Sequence, residues 1–437
     1  MTPAEPAVAP TVTPSFGEAL RLWLKVGLIS FGGPAGQIAI LHQELVERRR
    51  WIDERAFLTA LNFCMLLPGP EAQQLATYFG LKLHGVRGAL AAGVLFVLPG
   101  ACVLFGLAWL AAAHGSWPPL QAVFKGMLPI VVALVAHAVW RIGARTLKSP
   151  AAWALAVAAF VALGLLRVGF PWVIGAALAI GLVADRLGLT IAPSGHGAAV
   201  AAPMEPADWS RIARRSLAYT ALFALLWAAP VGLALAVWGP KPFADVAVFF
   251  TQAAFVTFGG AYAVLPFVAQ AAVGHFGWLS QAEMVHGLAL AETTPGPLIL
   301  VTQYVGFFAG WNAAVGGQAG GLSPLGAAGL AAAITTWVTF LPCFYFILVG
   351  APLVERLAGD RRAHAALSAV TAAVVGVIAT LGLTIAEAAF LPAGRFDLLS
   401  VVIAVAAFVA AWRFKVGALW LVAAGAALGV ARMVFGV

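Results

Sequence analysis

Two motifs rich in glycine and proline interrupt apolar segments in the first half of the chain, and both recur in the second half. The first-half motifs are Phe31–Pro34 and Leu67–Pro70, and the second-half motifs are Phe258–Gly260 and Thr294–Pro297. Their central glycines are 37 residues apart in each half. A broken helix in a membrane exposes backbone donors, which is tolerated only where protein or a water-lined cavity satisfies them. The spacing therefore predicts four helix breaks that meet at one site.

The residue types of these motifs favour anion binding. Proline suits the first position of a helix, where the N–H has no intrahelical partner, so Pro34, Pro70 and Pro297 are predicted to start half-helices. Glycine allows unusual backbone angles and lets a ligand approach the main chain. The N–H groups at a helix N-terminus carry about half a positive charge and bind anions. Several N-termini directed at one cavity would suit a small oxyanion without any basic side chain at the breaks.

Polar side chains around the breaks fit an oxygen-rich ligand, because amides and hydroxyls can donate to an anion. Ionisable groups at membrane depth are functional candidates, so Glu71 and Glu292 are predicted to couple proton movement to anion movement. Glu71 could instead be a cap stabilised by the helix dipole. The predicted binding residues are Gly32, Gly33, Pro34, Gln37, Gly69, Pro70, Glu71, Gln73 and Gln74 in the first half, and Gly259, Gly260, Tyr262, Thr294, Gly296 and Pro297 in the second.

Helix packing is the alternative interpretation of a single glycine motif, because glycine and proline are common in membrane helices. Kinks do not require matched spacing, so the four breaks together favour a binding site.

Two other functions stay open. An intramembrane enzyme acting on a lipid phosphate would need a nucleophile or base, with arginine or a metal, at the breaks, and the breaks contain no Arg or His. A proton-coupled cation carrier could use Glu71 and Glu292.

The composition predicts a polytopic helical membrane protein. Of the 437 residues, 62% are hydrophobic and 10% are charged, and the mean hydropathy is +0.96, whereas a soluble domain has roughly 25% charged residues. The net charge of +8 comes from basic residues at segment ends, which fits the positive-inside rule better than nucleic-acid binding. The cysteines and histidines form no ligand motif, and no phosphate-binding loop is present. The sequence therefore predicts no metal site, no cofactor and no ATP-driven transport.

The predicted fold is all-α, with two inverted-topology repeats joined by an extra helix. Each repeat contains two broken or re-entrant helix pairs and about four spanning helices. Four crossings plus the connecting helix make an odd number, which inverts the second repeat, and inverted repeats place a substrate site at the membrane midplane on discontinuous helices. The predicted parts are a disordered tail (1–15), the N-terminal repeat (16–187), a polar cytoplasmic linker (188–212), the connecting transmembrane helix (213–240) and the C-terminal repeat (241–437).

Loop charge predicts the orientation, because basic loops lie on the cytoplasmic side. Arg48–Arg50 lie on the cytoplasmic side, with the other basic loops, only if the first broken segment enters the membrane and returns as a re-entrant hairpin. The matching loop, Gly274–Gln281, contains no Lys or Arg and can lie outside. The N-terminus is therefore predicted to be cytoplasmic and the C-terminus external.

These motifs resemble those of the chromate ion transporter family in its long, two-repeat form. The resemblance rests on Phe31–Ala39 and Leu67–Ala76, with Phe258–Tyr262 and Thr294–Pro297 as the matching half, and covers roughly residues 16–435. It implies a secondary transporter that exports chromate across the bacterial inner membrane, driven by the proton-motive force or by exchange. Sulfate is a similar oxyanion.

The second half departs from the first at the breaks. Ala261 stands where the first half has Pro34, and Leu298 stands where it has Glu71. The two halves therefore cannot contribute equally, and the first half is expected to supply more of the site. Membrane transporters are commonly homodimers, but no residue pattern here indicates an interface.

Overall fold

The computed structural model describes residues 14–31, 33–187, 191, 209–258, 260–354 and 361–435. Within these ranges the chain forms helices and no strand. The α-helices of the described ranges are α1 (Phe16–Ile29), α2 (Gly33–His42), α3 (Glu54–Leu66), α4 (Glu71–His114), α5 (Pro118–Thr146), α6 (Pro150–Gly164), α7 (Phe170–Arg186), α8 (Trp209–Trp238), α9 (Phe243–Val256), α10 (Ala261–Ala269), α11 (Gln281–Thr293), α12 (Val301–Val315), α13 (Pro324–Gly350), α14 (Arg361–Phe390), α15 (Leu398–Arg413) and α16 (Ala418–Phe435).

Capping residues start the broken helices in both halves. Ser15 caps α1, where its backbone N–H donates to the Glu18 carboxylate at 2.8 Å and its hydroxyl accepts from the Glu18 N–H. Ser280 and Glu283 form the same capping box at α11. Asp53 caps α3 by accepting from an N–H group of the first turn. Such caps typically stabilise a helix by about 1 kcal/mol, so these short helices have defined starts.

Helices α3 and α4 form a hairpin around the second break. Phe57 on α3 stacks on Phe79 on α4, with ring centroids 5.4 Å apart, so the two limbs lie side by side. Helix α4 then turns back at His84 and Gly85, whose backbone angles are non-helical. It therefore consists of a short limb that runs from the break to this turn and a longer limb that leads away from it.

The second half repeats these elements with an offset of 227 residues, as from Gly33 to Gly260. Helix α2 continues into a π-helical turn at Gln43–Arg48, and α10 continues into one at Gln270–His275. After the loop that follows α12, the offset becomes 243 residues, because Pro99 inside α4 corresponds to Pro342 inside α13, and α14 is then the counterpart of α5. Matched π-helical turns at matched positions show that the two halves share one backbone plan.

The two repeats interlock. Helix α5 of the first repeat packs against α15 and α16 of the second, and its counterpart α14 packs against α6 and α7 of the first. A single apolar cluster extends from Val97 in α4 to Val422 in α16. The repeats therefore share a core and cannot separate as independent domains.

By length and composition, seven helical segments of the described residues could cross a membrane: α4, α5, Ile212–Trp238 of α8, Leu298–Val315 with α12, α13, α14 and α16. Helices α6, α9 and α15 are apolar but shorter, as is α10 with its π-helical turn. The prediction of an all-α polytopic membrane protein is confirmed. The predicted tail lies mostly outside the described residues, as does the predicted linker, and the domain limits stay a prediction.

Candidate functional site at the helix breaks

Each of the four breaks contains a glycine in the left-handed backbone region. The φ angles are +72° at Gly33, +123° at Gly69, +92° at Gly260 and +92° at Gly296. These glycines form two pairs related by the 227-residue offset. A residue with a Cβ is strained at such angles, which explains why glycine stands at all four positions. Gly32 and Gly259, also predicted site residues, lie outside the described residues.

The breaks of one repeat are hydrogen-bonded to the breaks of the other. The Gly69 N–H donates to the Thr257 carbonyl at 2.7 Å, and the Gly296 N–H donates to the Ser30 carbonyl at 2.9 Å. Ser30 corresponds to Thr257, and Gly69 corresponds to Gly296, so the two bonds are equivalent. This reciprocal pair joins the four broken segments into one centre, as the motif spacing predicts.

Two predicted amides stabilise the breaks from within the protein. The Gln37 amide donates to the Gly296 carbonyl at 2.6 Å, and the Gln74 amide donates to the Pro68 carbonyl at 2.8 Å. These two amides hold the backbone of the breaks in place. A third predicted amide, that of the buried Gln73, donates to the Thr77 hydroxyl at 3.1 Å within α4. The structure does not direct these amides into the cavity described below.

Other predicted residues meet where the repeats face each other. The Tyr262 hydroxyl donates to a Glu292 carboxylate oxygen at 2.5 Å, and both residues are less than a tenth exposed. A Cβ on Gly260 would stand 3.9 Å from Glu71 Oε1 and 3.9 Å from Pro34 Cγ. Two carboxylates, one from each repeat, therefore lie at the same centre as the helix breaks.

A cavity of about 1190 Å³ leads from this centre to the protein surface. Its inner end is lined by Pro34, Glu71, Gly260 and Tyr262. Its walls are residues of α3 and of the first turns of α14, and its outer part contains basic residues at the end of α5. Four predicted site residues thus line a space large enough for a small hydrated anion.

The other predicted residues lie behind this lining. Pro70 precedes α4, and Pro297 precedes a 3₁₀ turn at Leu298–Leu300, so each proline stands one residue before its predicted position. Thr294 is buried, and its hydroxyl donates to the Ala291 carbonyl at 3.0 Å. These residues shape the breaks rather than the cavity surface.

The structure adds polar cavity residues that the motifs do not indicate. Asn62 on α3, Arg141 on α5, and Ser368 and Thr371 on α14 line the same cavity as Glu71. Three of the four come from helices distant in sequence from the motifs. The sequence contains a signal at Arg141 and Arg145, because residues at i and i+4 share one helix face.

The turn between α2 and α3, at the cavity mouth, is held by an ion cluster. The buried Glu44 carboxylate lies 2.8 Å from both Lys25 Nζ and Arg48 Nη1, and 3.4 Å from Arg49 Nε. Burial alone would raise the pKa of Glu44, but the hydrogen bonds from Lys25 and Arg48 lower it below its usual value. The carboxylate is therefore ionised, and it fixes this turn next to α1.

The family model for the chromate transporter matches residues 17–182 and 244–430, one stretch in each repeat. The chain belongs to the chromate transporter family. A chromate transport protein of Pseudomonas aeruginosa is 33% identical over 398 residues, covering 89% of this chain and 84% of that protein. A probable chromate transport protein of Synechococcus elongatus is 28% identical, covering 84% and 83%. A chromate transport protein of Cupriavidus metallidurans is 26% identical, covering 85% of this chain and 82% of that protein.

Membership in the chromate transporter family confirms the resemblance predicted from the motifs. It also confirms the prediction of a transporter rather than an enzyme. No solved structure matches the chain.

Proposed function

We propose that this chromate transporter is a secondary active transporter that exports chromate, a sulfate-like oxyanion, across the inner membrane. The observation that carries the proposal is the cavity whose inner end is formed by helix breaks of both repeats. Discontinuous helices at a repeat interface are where secondary transporters bind their substrates. The relatives named as chromate transport proteins support chromate as the substrate.

The half-helices supply the binding chemistry. Helices α2, α4 and α10 all begin at the centre, at Gly33, Glu71 and Ala261. Their first N–H groups have no partner within the helix, and each N-terminus carries about half a positive charge. An oxyanion between them would receive hydrogen bonds from the backbone, and glycine at the breaks leaves room for its approach.

Two carboxylates are the coupling candidates. Glu71 lies at the N-terminus of α4 and lines the cavity, whereas Glu292 is hydrogen-bonded to Tyr262. A bound dianion beside an ionised carboxylate is electrostatically unfavourable, and protonation of either Glu71 or Glu292 would relieve this repulsion. Anion binding and proton binding would thereby be coupled.

The cavity and the charged loops support an orientation. The cavity mouth contains Arg145 and Lys148, and Glu47 from the turn after α2 lies there too. Because basic loops face the cytoplasm, this mouth is cytoplasmic. The hairpin that carries Arg48–Arg50 then returns to the side from which it entered, with a cytoplasmic N-terminus, an external C-terminus and inverted repeats.

The opposite side of the centre is closed. Helices α11 and α5 correspond to α3 and α14, which line the open cavity. Between α11 and α5, His286 stacks on Phe124 with ring centroids 4.0 Å apart. Leu58 on α3 is 42% exposed and lines the cavity, but its counterpart Val285 on α11 is 2% exposed. This arrangement fits an inward-open state, ready to load an anion from the cytoplasm.

Anion exchange in proteoliposomes tests the proposal. The purified protein is reconstituted, loaded with sulfate and offered chromate, with and without a pH gradient and a membrane potential. We expect chromate uptake that external sulfate inhibits, and a response to at least one gradient. Protein-free liposomes are the control for leakage.

Absence of flux of either anion from folded protein would contradict oxyanion transport. Cation uptake that is insensitive to both anions would favour the cation carrier instead. Uptake that responds to neither gradient would indicate anion exchange without proton coupling. It would contradict the coupling roles of Glu71 and Glu292.

A further inference from the structure

Arg141 is the deepest of three basic side chains at the C-terminal end of α5 and just beyond it. Arg141, Arg145 and Lys148 occur at i, i+4 and i+7, and all three line the cavity that ends at Glu71 and Tyr262. Arg145 and Lys148 are exposed, whereas Arg141 is partly buried. Arg141 stands five residues before the end of α5 at Thr146, which is about 8 Å along the axis, and Lys148 lies beyond that end. Arg141 therefore lies well inside the mouth.

Arg141 has an unusual environment for a guanidinium group at this depth. Among the residues that the structure describes, none forms a hydrogen bond or ion pair with it. It is close enough for its charge to act on Tyr262 and Glu292, yet Glu292 is bonded to the Tyr262 hydroxyl instead. An unpaired charge at membrane depth is costly and marks a functional position. The Arg141 side chain lines the cavity and has no hydrogen-bond acceptor among the described residues.

The positive-inside rule does not account for Arg141. That rule explains basic residues at cytoplasmic helix ends, such as Arg145 and Lys148. Arg141 lies further from this helix end, toward the breaks. Its counterpart in the second repeat, by the 243-residue offset, is Thr384, so the shared backbone plan does not require arginine at this position. The cavity that Arg141 lines supplies a further explanation, namely an anionic occupant.

We infer that Arg141 binds the transported oxyanion directly and selects doubly charged tetrahedral anions over chloride. This inference rests on the proposed function and names a side chain that binds the transported anion. A planar guanidinium matches two oxygens of a tetrahedral oxyanion with two parallel hydrogen bonds, which a monatomic anion cannot accept in the same way. The backbone N–H groups of the breaks bind the remaining oxygens, and Arg145 and Lys148 attract anions to the mouth.

Sulfate and chloride binding to the purified full-length protein tests this inference. Three variants are compared with wild type: Arg141→Gln, Arg141→Lys and Arg413→Gln. Arg413 is an exposed residue at the end of α15 and is the matched control for loss of one positive charge at a helix end. Circular dichroism and size-exclusion chromatography show whether each variant is folded.

We expect Arg141→Gln to raise the Kd for sulfate by about 10- to 100-fold, as for the loss of hydrogen bonds to a charged group. The Kd for chloride should change less, so the preference for sulfate falls. Arg141→Lys keeps the charge but loses the planar guanidinium group. Its Kd for sulfate should lie between those of Arg141→Gln and wild type. Arg413→Gln should bind as wild type does.

A folded Arg141→Gln protein with wild-type affinity for sulfate would overturn the inference while leaving the proposed function in place. If that variant does not fold, Arg141→Lys tests the inference, because a wild-type Kd for sulfate in Arg141→Lys would exclude a bidentate contact. Wild-type protein that binds neither sulfate nor chromate would overturn the proposed function, and the inference with it.

Discussion

The two turns that end the first hairpin of each repeat share a backbone and differ in side chains. The backbone N–H of Trp51 donates to Leu45 at 2.9 Å, and that of Trp278 donates to Ala272 at 2.8 Å. In the first turn Arg49 lies over Trp51 at 5.1 Å, whereas in the second Phe276 stacks on Trp278 at 4.1 Å. The tryptophan therefore has a cationic neighbour in one repeat and an aromatic one in the other. One plan has been adapted to two different surroundings.

The breaks show the same division between shared backbone and divergent side chains. The positive-φ glycines and the reciprocal hydrogen bonds occur in both repeats. Tyr262 and Glu292 correspond to Ala35 and Met65, and all but Glu292 line the cavity. The symmetric features build the centre, and we expect the asymmetric ones to supply its chemistry.

Loss of the shared backbone should have the largest effect. Gly33→Val and Gly260→Val each place a β-branched residue at positive φ, which is strained by at least about 1–2 kcal/mol, and each should abolish oxyanion uptake in proteoliposomes. Gly175→Val is the control, because Gly175 lies on an exposed face of α7 with no neighbour within 4 Å of the added Cβ. Normal uptake by correctly inserted Gly33→Val and Gly260→Val would remove the site from the breaks.

A cross-link should distinguish the closed interface from the open one. In a background without the native cysteines, Phe124→Cys with His286→Cys should form a disulfide that stops transport, and reductant should restore it. The counterpart pair is Thr59→Cys with Leu367→Cys. Leu367 lines the open cavity, so this pair should cross-link more slowly in the absence of substrate. Equal cross-linking of both pairs would contradict the inward-open assignment.

The carboxylates should change coupling rather than assembly. We expect Glu71→Gln and Glu292→Gln to flatten the pH dependence of uptake, because each removes a proton-binding group near the anion. Leu298→Ala, at the counterpart of Glu71, is the control and should keep the wild-type profile. Unchanged pH profiles in both glutamine variants would assign Glu71 to helix capping and Glu292 to packing.

The smallest effect concerns stability at the charged turn. The pKa of Glu44 is below its usual value of 4.5, so its ionised form stabilises the fold at pH values above about 4.5. That contribution is lost as the pH falls through the lowered pKa. Glu44→Gln should therefore reduce the Tm at pH 7 and have less effect near pH 3. Ala271→Gln, at the counterpart position, should not introduce this pH dependence.

Sequence alone predicts most of the fold here, because the signals are local. Apolar composition predicts membrane helices, the glycine and proline motifs predict where helices break, and a repeated spacing links the halves. Arg141 and Asn62 could not be assigned to the site in the same way, because their roles depend on which helices pack across the centre. The amides of Gln37 and Gln74 look like ligand donors in the sequence, but they bond to the breaks themselves. Proximity in sequence does not indicate the direction in which a side chain points.

The central claim is that equivalent positions in the two repeats face opposite sides of one transport site. Single cysteines at Leu58 and Val285, in a background without native cysteines, test it through labelling by a membrane-impermeant maleimide from each side. Sulfate is the ligand, because chromate oxidises thiols. We predict that the Leu58 position reacts from the cytoplasm without sulfate, and that the Val285 position becomes reactive from outside during sulfate exchange as the Leu58 position becomes protected. Reaction of both positions from the same side, or no change on adding sulfate, would contradict the account.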